Sequence, residues 1–489
     1  MATSDPDKEI VLSLISHTNV GKTALARTLL REDVGEVADS AHVTVVPESY
    51  PLIEKEGRLA RLWDTPGFGA NLAKLAARLR SSKNPVGWIL HQVWDRTQDK
   101  SLWCSQEAIR NVQADADVVL YLVDASQSPA AVGYVDLEIE VIEWIGKPVL
   151  VFLNQTGEPD SERDRLNETE WRTHLAKHAV VKNVATLDAF TRCWTQEHHI
   201  LEMAAGVLDG EKRKTAEILA EAWIERSLET FRESVDRMAK LARFALTDTE
   251  PLPTSGLADK LRQFILSRSE RNRELDRVQQ AMYSRLAEQV GGTINELIAL
   301  HGLSGETAAE LARGSKDEFA VKRDVEEPLA ATVGGAVSGL VGGLSADLIA
   351  GGMTFGGGAV VGMLLGGATT YALARGYNLT QTGQNLVRWT EAHFLNQIKF
   401  IVMLYLAVSH FGRGRGAWKD PVNNPARWQS VVDRRMEEER EAWSALWKKG
   451  GVGAEPEKLE RKLQARFRSL LISVFSELYP ASSDMFRKL

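Results

Sequence analysis

Apolar residues run along this chain in three successive patterns. The first, over residues 8–205, alternates short unbroken apolar runs with amphipathic stretches. Residues 9–15 (EIVLSLI), 117–126 (DVVLYLVDAS) and 148–153 (PVLVFL) lack the polar alternation of a half-exposed strand. They predict strands buried on both faces. Residues 49–53 and 59–63 predict shorter strands joined by a turn at 54–58, and 180–184 predicts a last one. Between them, residues 23–31 (TALARTLLR), 71–103 with Leu72, Leu75 and Leu79 on one stripe, and 134–145 predict helices. This alternation predicts an α/β domain over residues 1–208, a mostly parallel sheet with helices on both faces. Its ligand site is expected at the C-terminal ends of the strands.

The second pattern is helical. Ile218, Ala222, Ile224, Leu228, Phe231, Val235 and Met238 keep helical spacing through residues 211–246. Two prolines interrupt it within 247–254, residues 260–301 resume it, and 305–313 adds a short helix. Residues 209–328 are therefore expected to form an all-α domain. The third pattern occupies 329–374, 46 residues with one charge, Asp347, and 13 of the chain's 38 glycines. Gly335, Gly339 and Gly343 recur every four residues, as do Gly358, Gly362 and Gly366. Glycine in that register makes a flat strip for close helix packing, and soluble helices avoid it at about 1 kcal/mol each relative to alanine. The reading is a glycine-zipper hairpin with arms at 329–346 and 358–374, each roughly 26 Å long, a little short of a bilayer's hydrocarbon core. Lys322, Arg323 and Arg375 flank it as a cytosolic face requires. A hairpin buried in a soluble bundle is the other reading. Residues 375–489 complete a C-terminal helical region. Within it 398–410 is too short to span a bilayer and reads as a core or interfacial helix. Trp389, Trp418, Trp428, Trp443 and Trp447 are expected to pack the bundle.

The chemistry lies in the first pattern. Residues 16–23 (SHTNVGKT) stand between the first strand and the first helix, the context of a phosphate-binding loop. Backbone N–H groups of such a turn, here Asn19, Val20 and Gly21, face phosphate oxygens, and the helix N-terminus adds partial positive charge. Lys22 is placed to reach β- and γ-phosphates and Thr23 to ligate Mg²⁺. Ser16 replaces the usual first glycine, which a negative φ permits. Thr44, in the polar stretch 32–49, is the candidate second Mg²⁺ ligand; the start of a strand is its other reading. Residues 63–68 (WDTPGF) match the D-x-x-G element of nucleotide switches. Asp64 would hold Mg²⁺ through water and the Gly67 N–H would meet the γ-phosphate. Lys22, Thr44 and Gly67 are thus the candidate catalytic residues. Residues 154–157 (NQTG) stand where a guanine-reading N-K-x-D would: Asn154 and Gln155 are candidate nucleotide contacts, but Gly157 carries no carboxylate for the base. His174 and His178 lie four apart with no third ligand nearby, and are expected to be solvated.

The NVGKT, VT, DTPG and DVVLYLVDAS segments resemble an Era/septin-type bacterial P-loop GTPase. The NQTG ending is similar to that of a family of such GTPases with a C-terminal helical domain of unknown function and a glycine-rich hairpin. The resemblance implies hydrolysis of GTP to GDP and phosphate with Mg²⁺. Phe68 stands where other switch proteins carry a water-positioning glutamine, which implies slow chemistry unless K⁺, dimerisation or a partner assists. Asn19 falls where potassium-activated members ligate K⁺; a loop-stabilising side chain is its other reading. A net charge of −7 argues against nucleic acid as a partner. Two cysteines, Cys104 and Cys193, in no C-x-x-C spacing fit a reducing compartment, and residues 1–9 show no signal-peptide pattern. Together these imply a membrane-associated GTPase on the cytoplasmic side of a bacterial inner membrane, with lipid, a second copy or a membrane protein as partner. The alternatives are a nucleotide-binding membrane scaffold or pore that barely turns over, and a cytoplasmic location.

Overall fold

The computed structural model describes residues 5–32, 34, 46–69, 79–91, 100–155, 161–187, 194–251, 268–303, 377–378, 385–410, 426–450 and 455–489. The chain divides into two compact units: Met1–Glu229 with Ser409–Gly416 and Arg487–Leu489, and Thr230–Val408 with Ala417–Phe486.

In the first unit six strands form one sheet: β1 (Glu9–Ser16), β2 (Glu48–Lys55), β3 (Arg58–Asp64), β4 (Val118–Asp124), β5 (Val149–Asn154) and β6 (Val181–Thr186), in the order β2-β3-β1-β4-β5-β6. The neighbours are parallel except in the β2–β3 hairpin. That hairpin turns through Glu56 (φ 52°) and Gly57 (φ 70°), the left-handed pair a two-residue turn requires. Around the sheet come α1 (Lys22–Leu30), α2 (Pro85–His91), α3 (Lys100–Ala114), α4 (Tyr134–Ile145), α5 (Ser161–Leu175), α6 (His199–Ala205) and the first part of α7 (Gly210–Thr247), whose residues from Thr230 on belong to the second unit.

The unbroken apolar runs are explained by two cores, one on each face of the sheet. Val118, Leu120 and Leu122 of β4 and Leu150 and Phe152 of β5 pack with Leu12, Leu25 and Trp223. Val119, Tyr121 and Val123, with Val149, Val151 and Leu153, face the other way, toward Ile109, Val135, Ile139 and Ile142. A strand with two buried faces has no solvent side on which to place polar residues. From β1 the chain first builds β3 on one side and later β4 on the other. This reversal opens a crevice at the C-terminal end of β1, where ligands of open α/β sheets bind.

The second unit is helix-rich, with α8 (Arg268–Leu300), α9 (Glu391–Ser409), α10 (Ala426–Glu438), α11 (Arg440–Lys449) and α12 (Pro456–Leu478). Phe231, Tyr405, Phe475 and Phe486 form an aromatic core with ring centroids 5.9 to 6.3 Å apart. Trp389, Trp428 and Trp443 are buried, and the Arg388 guanidinium lies 3.8 Å over the Trp447 ring. α9 contains the apolar run at 398–410 except its last residue. By length and composition it is long enough to cross a membrane, yet 67% of its apolar window is buried inside the protein, as in a core helix. The second unit also holds a small antiparallel sheet, β7 (Thr249–Pro251), β8 (Tyr377–Asn378) and β9 (Asn385–Arg388), in the order β7-β9-β8. Its strands are two to four residues long and come from distant segments, so no local periodicity signals them. Leu72, Leu75, the helix expected at 305–313, Trp418 and the hairpin at 329–374 lie outside the described residues.

Phe152→Ala should destabilise the first unit by about 3–5 kcal/mol, the cost of emptying a packed aromatic site. Urea unfolding measures it as a lower midpoint at unchanged slope; a loss below about 1 kcal/mol would remove the ring from the core.

Candidate functional site

β1 ends at Ser16, and the chain turns through residues 17–21 into α1, whose first residue is Lys22. The left-handed backbone in this turn falls on Asn19 (φ 65°) and Gly21 (φ 99°). Asparagine is among the few side-chain-bearing residues that tolerate this region. Ser16 still belongs to the strand, so a glycine is not needed there. Its Oγ accepts from Lys22 Nζ at 3.0 Å and donates to His17 O at 2.5 Å. No side chain caps α1, which leaves its first N–H groups directed at the loop.

Lys22 is 7% exposed. Burial pulls its pKa below the ordinary lysine value, partly offset by the charges of Asp64, Glu138 and Cys104. An ammonium so placed is costly to desolvate and gains most from an anion brought to it.

Asp64 closes β3, in register with Leu14 of β1, and is 2% exposed. Its Oδ2 accepts from Thr23 Oγ1 at 2.6 Å. A hydroxyl and a carboxylate, both hard oxygen donors, fit the ligand set that Mg²⁺ takes beside a phosphate. Thr44 lies outside the described residues.

The D-x-x-G loop is clamped to the phosphate loop. Phe68 N donates to Ser16 O at 2.8 Å and Thr18 N donates to Phe68 O at 3.1 Å, pairing His17 with Phe68 as in a parallel bridge. Thr65 Oγ1 donates to Leu14 O at 2.6 Å. The Phe68 ring is fully buried in the core beside α4, so it anchors the loop. A Cβ at Gly67 would stand 2.9 Å from Thr18 Cα and 3.0 Å from Lys22 Nζ, a space only glycine fits.

Asn154, fully buried, donates from Nδ2 to Val20 O at 2.6 Å. It ties the loop after β5 to the phosphate loop. Gln155 follows it in left-handed backbone, φ 59°; Gly157, Glu158 and Asp160 lie outside the described residues. The structure thus gathers Asn19, Val20, Gly21, Lys22, Thr23, Asp64, Gly67, Asn154 and Gln155 around the C-terminal ends of β1, β3 and β5.

Behind the loop lies a polar cluster that no motif announced. His17 Nδ1 is hydrogen-bonded to Glu138 Oε1 at 2.6 Å, and Tyr121 OH donates to Glu138 Oε2 at 2.6 Å. The Tyr134 ring stacks on the imidazole with centroids 4.2 Å apart. Glu138 is 2% exposed; burial raises its carboxyl pKa, against the opposing pull of His17, Tyr121 and Lys22. The signal was there in YVDLEIEVIEWI, where Glu138 falls on the buried stripe of Val135, Ile139 and Ile142. His174 and His178 also differ from expectation. His174 Nε2 lies 3.0 Å from Asp136 Oδ1 and His178 Nδ1 3.3 Å from Glu143 Oε2, because carboxylates of α4 face them.

A phosphate loop opening a helix, a carboxylate across from it and an asparagine strap from β5 define a P-loop nucleotide-binding domain. Residues 11–155 match the family model described as 50S ribosome-binding GTPase; this part of the chain is a P-loop GTPase domain. Among solved structures the chain is similar to an Era variant from Aquifex aeolicus bound to GDP and aluminium fluoride, at 16% identity over 37% of this chain and 51% of that one, TM-score 0.28. It is similar to translation elongation factor SelB from Methanococcus maripaludis bound to a GTP analogue, at 14% identity over 41% and 34%, TM-score 0.25. It is also similar to NFeoB from S. thermophilus, at 13% identity over 63% and 88%, TM-score 0.24. The chain spans about half the length of the Era structures it matches. No curated protein matches it.

Gly67→Ala should force the D-x-x-G loop away from Lys22. Affinity for a non-hydrolysable GTP analogue should fall roughly tenfold, about 1.4 kcal/mol, with GDP affinity much less changed. Unaltered analogue affinity in calorimetric titration would show that this close approach is not part of triphosphate binding.

Proposed function

We propose that this protein is a slow, membrane-associated GTPase that hydrolyses GTP to GDP and phosphate. The observation that carries the reading is the convergence of Lys22, Thr23, Asp64 and Gly67 in one cradle, with Thr23 Oγ1 2.6 Å from Asp64 Oδ2. Val20 and Gly21 offer backbone N–H groups to the phosphates, Lys22 neutralises the β- and γ-oxygens, and the Gly67 N–H meets the γ-phosphate. Thr23, Asp64 and Thr44 would hold Mg²⁺, which would supply positive charge against the phosphates. Asn154 and Gln155 frame the base side. The buried Phe68 orients no water, so turnover depends on K⁺ at Asn19, a second copy or a partner. The same buried ring favours a second reading, a nucleotide-binding scaffold or pore with little turnover.

The glycine register at 329–374 supports the membrane part of the proposal. The hairpin holds the protein at the cytoplasmic side of a bacterial inner membrane. Nucleotide state then switches how the helical part engages lipid, a second copy or a membrane protein.

Lys22→Ala should weaken a fluorescent GTP analogue by about a hundredfold or more; wild-type binding would sink the P-loop assignment. Hydrolysis should be faster in KCl than in NaCl, and Asn19→Ala should erase the difference; equal wild-type rates leave Asn19 as loop structure alone. Deleting residues 329–374 should move the protein from the carbonate-resistant membrane pellet to the soluble fraction. A full-length protein already soluble without detergent would refute the membrane attachment.

A further inference from the structure

We propose that the half-buried His17 and its buried partner Glu138 form a positioning device for the triphosphate state: α4 holds the phosphate loop, through His17, in the register that keeps Gly67 beside Lys22. This rests on the reading that the Gly67 N–H meets the γ-phosphate.

His17 sits at the centre of the clamp between the two loops. The backbone bond from Phe68 N reaches Ser16 O on one side of it, and the bond from Thr18 N reaches Phe68 O on the other. Successive side chains of extended backbone point to opposite faces. Ser16 Oγ turns toward Lys22, and the His17 ring turns back to Glu138 and Tyr134. The register of the clamp is therefore set from behind the nucleotide site.

Glu138 is fixed in its turn. Its second oxygen accepts from Tyr121 OH at 2.6 Å, and Tyr121 stands on β4 in register with Ile15 of β1. A buried carboxylate with each oxygen bonded holds its partners firmly, because losing one leaves a desolvated polar group unmatched. Glu138 is hydrogen-bonded to His17 and Tyr121 and acts on Lys22 only through its charge. It positions and does not catalyse.

α4 also receives the segment that follows the D-x-x-G loop. Arg80 Nε and Nη2 donate to the Glu140 carboxylate at 3.0 and 2.7 Å, and Leu79 is buried in the core that α4 shares. Phe68 through His17, and Leu79 through the shared core, give this one helix a hold on the chain at both places.

The consequence is selective. A diphosphate is gripped by the loop backbone, the start of α1 and Lys22. A triphosphate needs Gly67 as well. Loosening the clamp should fall on the triphosphate, whereas a general loss of folding would weaken both nucleotides alike.

The test titrates full-length protein with fluorescent GDP and a fluorescent non-hydrolysable GTP analogue, both with Mg²⁺. His17→Ala and Glu138→Ala should each lower the ratio of analogue to GDP affinity about tenfold, with GDP affinity within about threefold of wild type. The double variant should be no worse than the more affected single one, as expected of one coupled unit. Glu138→Gln, which can bond both His17 and Tyr121, should restore the ratio to within about threefold. Should Glu138→Ala fail to fold, His17→Ala and Tyr121→Phe carry the same expectation of a lowered ratio. Parallel loss of both affinities, an unchanged ratio in folded His17→Ala, or a glutamine variant as impaired as the alanine one would overturn the proposal. A Gly67→Ala protein that keeps its analogue affinity would instead fault the reading of Gly67. Wild-type protein that binds neither nucleotide would overturn the GTPase reading itself.

Discussion

The constraint on which the site depends is the burial of the Lys22 ammonium. It is 7% exposed, and burial is the largest influence on its proton affinity. A cation can remain in such a place only among groups that answer its charge. Ser16 Oγ accepts from it directly, and Asp64 and Glu138 act on it through their charges. The uncapped start of α1 and the bare Gly67 leave the open side of the lysine to an incoming anion. An anion brought to that side would complete the balance of charge.

The sheet makes that pocket rigid. Parallel strands covered on both faces place Ser16, Asp64 and Asn154 at the same edge without long side chains having to reach. Phe68 joins this rigidity to the movable part of the site. Its ring is core and its backbone is clamp, so the loop that carries Gly67 is pinned beside the residue that matters most. A glutamine there would exchange the anchor for a water-orienting group. The chain holds the anchor instead.

α4 gains weight in the same light. Its inner face carries Glu138 among Val135, Ile139 and Ile142. Its polar positions collect His174, Lys177, His178 and Arg80. Exposed ion pairs of that sort contribute little stability each. The buried Glu138 is different, since its two oxygens join the phosphate loop and β4 to α4.

Much of this was legible in order along the chain. Buried strands announce themselves as unbroken apolar runs, helix stripes as a 3.6-residue period, and the phosphate loop as a glycine–lysine–threonine between a strand and a helix, because each depends on neighbours within one element. What only the tertiary structure decided depends on residues far apart in sequence. The Asn154 amide meets Val20 O across 134 positions, and His17 meets Glu138 across 121. The tolerance of Ser16 followed once the left-handed backbone fell on Asn19 and Gly21. The sheet of β7, β8 and β9 exists only because two distant segments pair. Hydrogen bonds between elements carry no period, and a buried charge looks in sequence like any other charge until the fold supplies its partner.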